Sequence, residues 1–166
     1  MIATTSQLDL FLKANQIGLR LEMTAGMPSW ETSPVLLHQE TVDVIRATIR
    51  PSSNDSECGC VHYADLYVSF PDGSLKRPDI SIFCRRPTEI TTSVTLIPEA
   101  VIEIISVGYE TKDLEINPPF FLSQGVKDVI IYDPQTKFIL HARRDSKKTY
   151  TCPQEFALEC GCSLTV

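Results

Sequence analysis

The chain has 166 residues, 43% hydrophobic and 22% charged, which suits one globular domain over residues 1–166 with a sizeable core. Its net charge of −6 excludes inferring a nucleic-acid partner from global charge, so any phosphate-binding surface has to be a local patch supported by metal. The opening residues carry no basic leader, and no apolar run approaches the ~20 residues of a membrane span, so a soluble, cytoplasmic protein with no membrane partner is expected.

Thr4 or Thr5 can cap a first helix over residues 7–14, with Leu8, Phe11 and Leu12 at helical spacing. Residues 18–23 then alternate, with Leu19, Leu21 and Met23 on one face and Arg20 and Glu22 on the other, which predicts a strand ending at Gly26 and Pro28. Ser33-Pro34 reads as the N-cap and first position of a helix in which Val35, His38, Val42, Ile45 and Ile49 repeat at three-four spacing until Pro51. His38 falls on the inward stripe, where a histidine is more often a hydrogen-bonded core residue than a ligand. After a polar loop over 51–59, residues 61–70 carry the longest β signal; Pro71-Asp72-Gly73-Ser74 turns the chain, and a strand over 79–83 returns as a hairpin.

Residues 98–106 read PEAVIEIIS, β-branched at Val101, Ile102, Ile104 and Ile105, as expected of a central strand buried on both faces. Glu103 stands in its middle. A carboxylate is rarely buried without a partner, so Glu103 meets an Arg or Lys side chain, solvent at a strand end, or a metal ion shared with another acid. Residues 107–117 are polar, and Asn117-Pro118-Pro119 opens a short helix through Phe120, Phe121 and Leu122 to Gly125. Residues 129–132 form a buried strand, Asp133-Pro134-Gln135-Thr136 turns, residues 138–142 return beside it, and 149–152 and 163–166 read as edge strands. The cysteines, Cys58-Gly-Cys60, Cys84, Cys152 and Cys160-Gly-Cys162, depart from the C-x2-C spacing of structural zinc sites; without a secretory signal they are expected as reduced thiols.

The element order is that of an α/β or α+β sandwich with a mixed sheet. Within it Pro78-Asp79, followed by Glu103 inside an apolar strand, resembles the PD-(D/E)XK nuclease superfamily. Leu21-Glu22 before Gly26, His38-Gln39, Arg77-Pro78-Asp79-Ile80, the strand about Glu103, Asp113, and Gly125-Val126 leading to Tyr132-Asp133-Pro134 together resemble the Uma2 family, also called DUF820. The resemblance implies a restriction-endonuclease-like core, a mixed β-sheet with flanking helices. It further implies a metal-dependent endodeoxyribonuclease hydrolysing DNA phosphodiester bonds, and an architecture that often works as a homodimer. Phosphodiester hydrolysis needs a divalent ion to polarise phosphate and activate water, and Mg2+ (or Mn2+) takes hard oxygen ligands. Asp79, Glu103 and the Ile104 backbone carbonyl are the implied ligands, with Glu22 assisting.

The superfamily lysine is missing from its usual place, because the residue two beyond Glu103 is Ile105. In the Uma2-like pattern it moves to the next helix, four residues after the aspartate; counting from Asp113 gives Asn117, with Phe121 and Gly125 in register. Asn117 donates a hydrogen bond but carries no charge. Lys112, beside Asp113, is a less suitable source of one. The alternative reading is a catalytically inactive module of the same fold that binds nucleic acid or protein. Lys76, Arg77, Arg85 and Arg86 flank the expected site as candidate phosphate contacts.

Overall fold

The computed structural model describes residues 5–166; the expected cap at Thr4 lies outside them, and Thr5 is already part of the first helix. Helix α1 (Thr5–Gln16) lays Leu8, Phe11 and Leu12 against Tyr67, Leu75, Leu21 and Met23, as its spacing predicts. Strand β1 (Leu19–Thr24) does not simply end at Gly26: Ala25 and Gly26, with φ of 47° and 81°, form a tight turn into β2 (Met27–Thr32), paired from Thr24↔Met27 to Leu19↔Thr32. Two successive positive φ values make the turn that matches strand twist, and the glycine supplies one of them without strain. Pro28 argued against a strand, but β2 lies at the sheet edge, where a missing amide donor is tolerated. Helix α2 (Leu36–Thr48) starts after an N-cap at Val35 rather than at Ser33, whose hydroxyl donates instead to the Gly18 carbonyl at 3.2 Å. Its stripe of His38, Val42 and Ile45 is buried.

The chain continues through β3 (Arg50–Pro51), β4 (Val61–Ala64), β5 (Tyr67–Ser69), β6 (Leu75–Lys76), β7 (Ile80–Phe83), β8 (Ser93–Val94) and β9 (Ala100–Ile104). It ends with β10 (Asp128–Asp133), β11 (Phe138–Arg143), β12 (Ser146–Thr151), β13 (Glu155–Ala157) and β14 (Cys162–Thr165). The main sheet has six strands in the order β12-β11-β10-β9-β7-β4, with β9 parallel to β10 and antiparallel to β7. A five-stranded sheet runs β2-β1-β6-β5-β8, and a small one runs β13-β14-β3. No helix among the described residues is long and apolar enough to cross a membrane.

The long hairpin expected over 61–83 is therefore shared between two sheets. Its outer part, β4 with β7, belongs to the main sheet, and its tip, β5 with β6, to the five-stranded one. The corner falls at Asp65, held at φ 56°, and across Arg77-Pro78-Asp79. Alternation along β9 then sorts the core: Ile102 and Ile104 face α2 and the C-terminal strands with Val42, Ile45, Ile80 and Leu164, while Val101 and Ile105 face Phe70, Phe83, Phe121 and Val129. Glu103 shares the second face.

The segment before the proline pair is not an irregular loop. Residues Lys112–Ile116 form a π-turn that runs directly into α3 (Asn117–Ser123), and the Asn117 amide reaches back to the Lys112 carbonyl. Pro118 and Pro119 have no amide to donate to the preceding turn, which accounts for their place at the start of α3. The cysteines also depart from expectation: Cys58 is joined to Cys84 and Cys60 to Cys162, leaving Cys152 and Cys160 as thiols. The expectation of reduced thiols rested on compartment, whereas β4, β7 and β14 bring both C-G-C pairs to one place.

Candidate functional site

The corner between the two sheets gathers the candidate residues. Asp79 immediately precedes β7, Glu103 lies on the adjacent β9, Glu22 on β1, Lys76 at the end of β6, and Asp113 and Asn117 on the π-turn and α3. All six are buried, with Lys76 and Asn117 fully so.

Asp79 and Glu103 are anchored on each other's strands. Glu103 Oε2 accepts the Asp79 amide at 3.1 Å, and Asp79 Oδ2 accepts the Ile104 amide at 2.8 Å. Ile104, whose carbonyl is the expected third metal oxygen, thus meets Asp79 through its N–H. The other contacts of Asp79 are Arg20 Nη1 on Oδ1 and His38 Nε2 on Oδ2, each at 3.1 Å. Arg20 also donates to the Arg77 carbonyl at 2.6 Å and pairs with Asp65 at 3.2 Å, which pins the corner. His38 therefore belongs to the Asp79 environment, a role its place on an apolar stripe did not show.

A buried lysine from β6 meets Asn117. Lys76 Nζ lies 2.9 Å from Glu22 Oε2, 3.0 Å from Asn117 Oδ1 and 3.3 Å from Thr24 Oγ1. The Asn117 amide nitrogen donates in turn to Glu103 Oε1 at 3.3 Å and to Asp113 Oδ1 at 3.2 Å. Asn117 thus relays between an ammonium and two carboxyl groups. Sequence reasoning placed Lys76 among flanking phosphate contacts; its exposure of 0% is incompatible with that. The missed signal is its position two residues before Pro78, on a strand pairing with the one that carries Glu22. Lys112, expected to be a poor source of charge, also reaches the cluster: Nζ lies 3.3 Å from Glu22, 3.8 Å from Asp113 and in contact with Glu31. Arg77 donates to the Asp65 carbonyl and to Asn15 instead.

These contacts split the carboxyl groups. Burial and the neighbouring charges of Asp79, Asp113 and Glu22 push Glu103 well above the ordinary carboxylate range. Burial also carries Asp113 up to about 7, against the pull of Lys112. For Asp79 burial is outweighed by the His38 hydrogen bond and the Arg20 charge, which hold it below its usual value. Glu22 is likewise held low, as Lys76, Lys112 and Arg20 overcome its burial.

Four carboxyl groups around one corner provide hard oxygen donors of the kind Mg2+ takes. The mutual repulsion that raises Glu103 and Asp113 is what a divalent cation relieves, so the donor chemistry fits such an ion. The expected side-chain set of Glu22, Asp79 and Glu103 is not drawn to one point, however. Among the described residues the compact groups of three ligand atoms, all within 4.8 Å of one another, consist of cysteines. Lys76 pairs with Glu22 and Asn117 with Glu103, while Asp79 and Glu103 are bonded into each other's strands. A cleft of ≈ 240 Å³ lined by Pro34, His38, Val42, Asp65 and Asp79 brings solvent to the Asp79 side.

Residues 10–159 match the family Uma2, described as "Putative restriction endonuclease". Among solved structures the chain is similar to one from Anabaena variabilis ATCC 29413, described as "a putative nuclease belonging to DUF820". The two share 21% identity with a TM-score of 0.64, over 81% of this chain and 78% of that one. At that identity the likeness establishes the fold, a mixed α+β nuclease fold. A comparison with curated proteins found no match.

Proposed function

This chain belongs to the Uma2 family, and on that premise we propose that it is a metal-dependent endodeoxyribonuclease whose lysine is supplied by Lys76. The observation that carries the reading is the Lys76 ammonium, fully buried and one asparagine away from Glu103. A lone buried lysine is costly, and the ion pair with Glu22 offsets that cost while the Asn117 contact fixes Nζ beside the acids.

In this reading Asp79 and Glu103 hold Mg2+ or Mn2+, with the Ile104 carbonyl as a third oxygen. The ion supplies electrophilic stabilisation of the phosphate and a water of lowered pKa. Arg20 and His38 orient the Asp79 carboxylate, and Asn117 orients Glu103. Glu22 supports the site by fixing the ammonium rather than as an additional metal ligand. Lys76 and Asn117 together take the part assigned to the family lysine, and charge placed before reaction begins is the kind of preorganisation that lowers a barrier. The cleft beside His38 and Asp65 is the approach for DNA.

A second reading, an inactive module of the same fold, is favoured by one observation: Asp79 already has protein partners on both oxygens. Supercoiled plasmid incubated with Mg2+ or Mn2+ separates the two. The nuclease reading expects nicking by the wild type and none by Glu103→Ala; equal nicking by both, or none by either with DNA retained, favours the module.

A further inference from the structure

We propose that the cysteine cluster at the junction of β4, β7 and β14 is a zinc site. Cys58, Cys60 and Cys162, with Cys84 or Cys160 in the fourth place, hold Zn2+ as a tetrathiolate when the thiols are reduced. The proposal is independent of the nuclease reading, since soft thiolates and hard carboxylates select different ions.

Two groups of sulfurs, Cys58 with Cys84 and Cys160, and Cys58 with Cys60 and Cys162, each lie within 4.8 Å of one another and share Cys58. Cys58 and Cys162, which are not joined by a disulfide, are 3.5 Å apart. Tetrahedral Zn–S bonds of about 2.3 Å separate sulfurs by about 3.8 Å, close to the spacing of Cys58 and Cys162, and reduction frees the two disulfide pairs to open to it. Cys58, Cys60 and Cys162 are buried among apolar residues, a closed setting of the structural rather than the catalytic type.

The backbone is also shaped for close approach. Cys58 and Cys60 enter β4, Cys84 leaves β7, which pairs with β4, and Cys160 and Cys162 enter β14. The Gly59 amide donates to the Cys84 carbonyl at 2.8 Å, where a Cβ on Gly59 would meet that oxygen at 3.0 Å. Gly161 sits at φ 92°, and a Cβ there would meet Ser56 Oγ at 2.6 Å. Both C-G-C glycines are therefore required where two chain segments converge on the sulfurs. Five cysteines serving four places leave Cys84 and Cys160, the two half-buried ones, as alternates.

Disulfide and metal forms exclude each other. With a phosphine reductant each disulfide yields two thiols while the phosphine takes oxygen from water and becomes its oxide; Zn2+ then displaces the thiol protons. The full chain, reduced anaerobically in this way, is loaded with Zn2+ or Co2+, desalted and assayed for metal. One ion per chain is expected, with the sulfur-to-cobalt charge-transfer and intense visible bands of a tetrahedral thiolate site. Cys152→Ser, outside the cluster, keeps them and Cys58→Ser loses them. Should Cys58→Ser not fold, Cys84→Ser and Cys160→Ser provide the same test: each alone retains the ion and the pair together loses it. Failure of the folded, reduced protein to retain metal overturns the proposal, as does retention undiminished in both Cys58→Ser and the double variant, or a cobalt spectrum without charge transfer.

Discussion

Replacing Lys76 by methionine removes the ammonium but keeps most of the buried stem, so the change is chiefly electrostatic. It leaves Glu22 buried at 5% exposure with the Arg77 amide at 2.7 Å and Lys112 at 3.3 Å. Breaking a buried pair by removing one partner costs about 3–5 kcal/mol, and the residual contacts place Lys76→Met near the lower end, at about 3 kcal/mol. For a chain of this size that lowers Tm by about 6–12 °C. Glu22→Gln in the same molecule removes the stranded charge, so the double variant should lose only about 1 kcal/mol, less than Lys76→Met alone, a non-additivity that a double-mutant cycle reads. Glu22 is held below its ordinary 4.5, a stabilisation present above that value and lost as pH falls through the depressed one. In Lys76→Met the carboxyl protonates nearer 4.5, so the gap from wild type should narrow below that pH. Urea denaturation followed by circular dichroism at pH 7 and in acid measures both. Losses that simply add, or a gap that widens in acid, refute the ion-pair argument.

Asp113 binds its proton up to about 7 in the folded chain against 3.8 in the ordinary case, so stability should decline as pH rises across that window, by at most about 4 kcal/mol. Asp113→Asn should flatten the decline; an unchanged slope in urea titrations at stepped pH contradicts the assignment. Mn2+ at a hundred times its Kd should raise wild-type stability by about 2.7 kcal/mol, seen as a Tm increase that Glu103→Ala lacks. Arg20→Met removes a charge 3.1 Å from Asp79, so the Asp79 pKa rises and the acidic limb of a nicking pH profile moves to higher pH; a limb that stays in place counts against Asp79 as the ionised ligand.

Much of this site was legible because it lies on regular elements. Glu103 interrupts a run of β-branched residues, and that misfit alone marked the strand that the main sheet is built around. Asp79 and Asn117 followed from register with the Uma2 pattern. What escaped is tertiary. Lys76 belongs to a two-residue strand whose significance depends on the hairpin bending between sheets at Asp65, and no local period announces such a corner. His38 and Arg20 read as an ordinary stripe residue and an ordinary polar face, and only packing turns both toward Asp79. The β2 strand hid behind Pro28 and an Ala-Gly turn. The cysteines were misread because their redox state was inferred from compartment, and pairs far apart in sequence become neighbours only when β14 packs beside α2 and β3.

If Lys76 replaces the lysine absent at Asn117, the 3.0 Å between Lys76 Nζ and Asn117 Oδ1 lets the ammonium be moved from one position to the other. Plasmid nicking with Mn2+ should fall to background in Lys76→Met and recover in part when Asn117→Lys is added, provided circular dichroism shows both variants folded. Wild-type nicking by Lys76→Met would contradict the account.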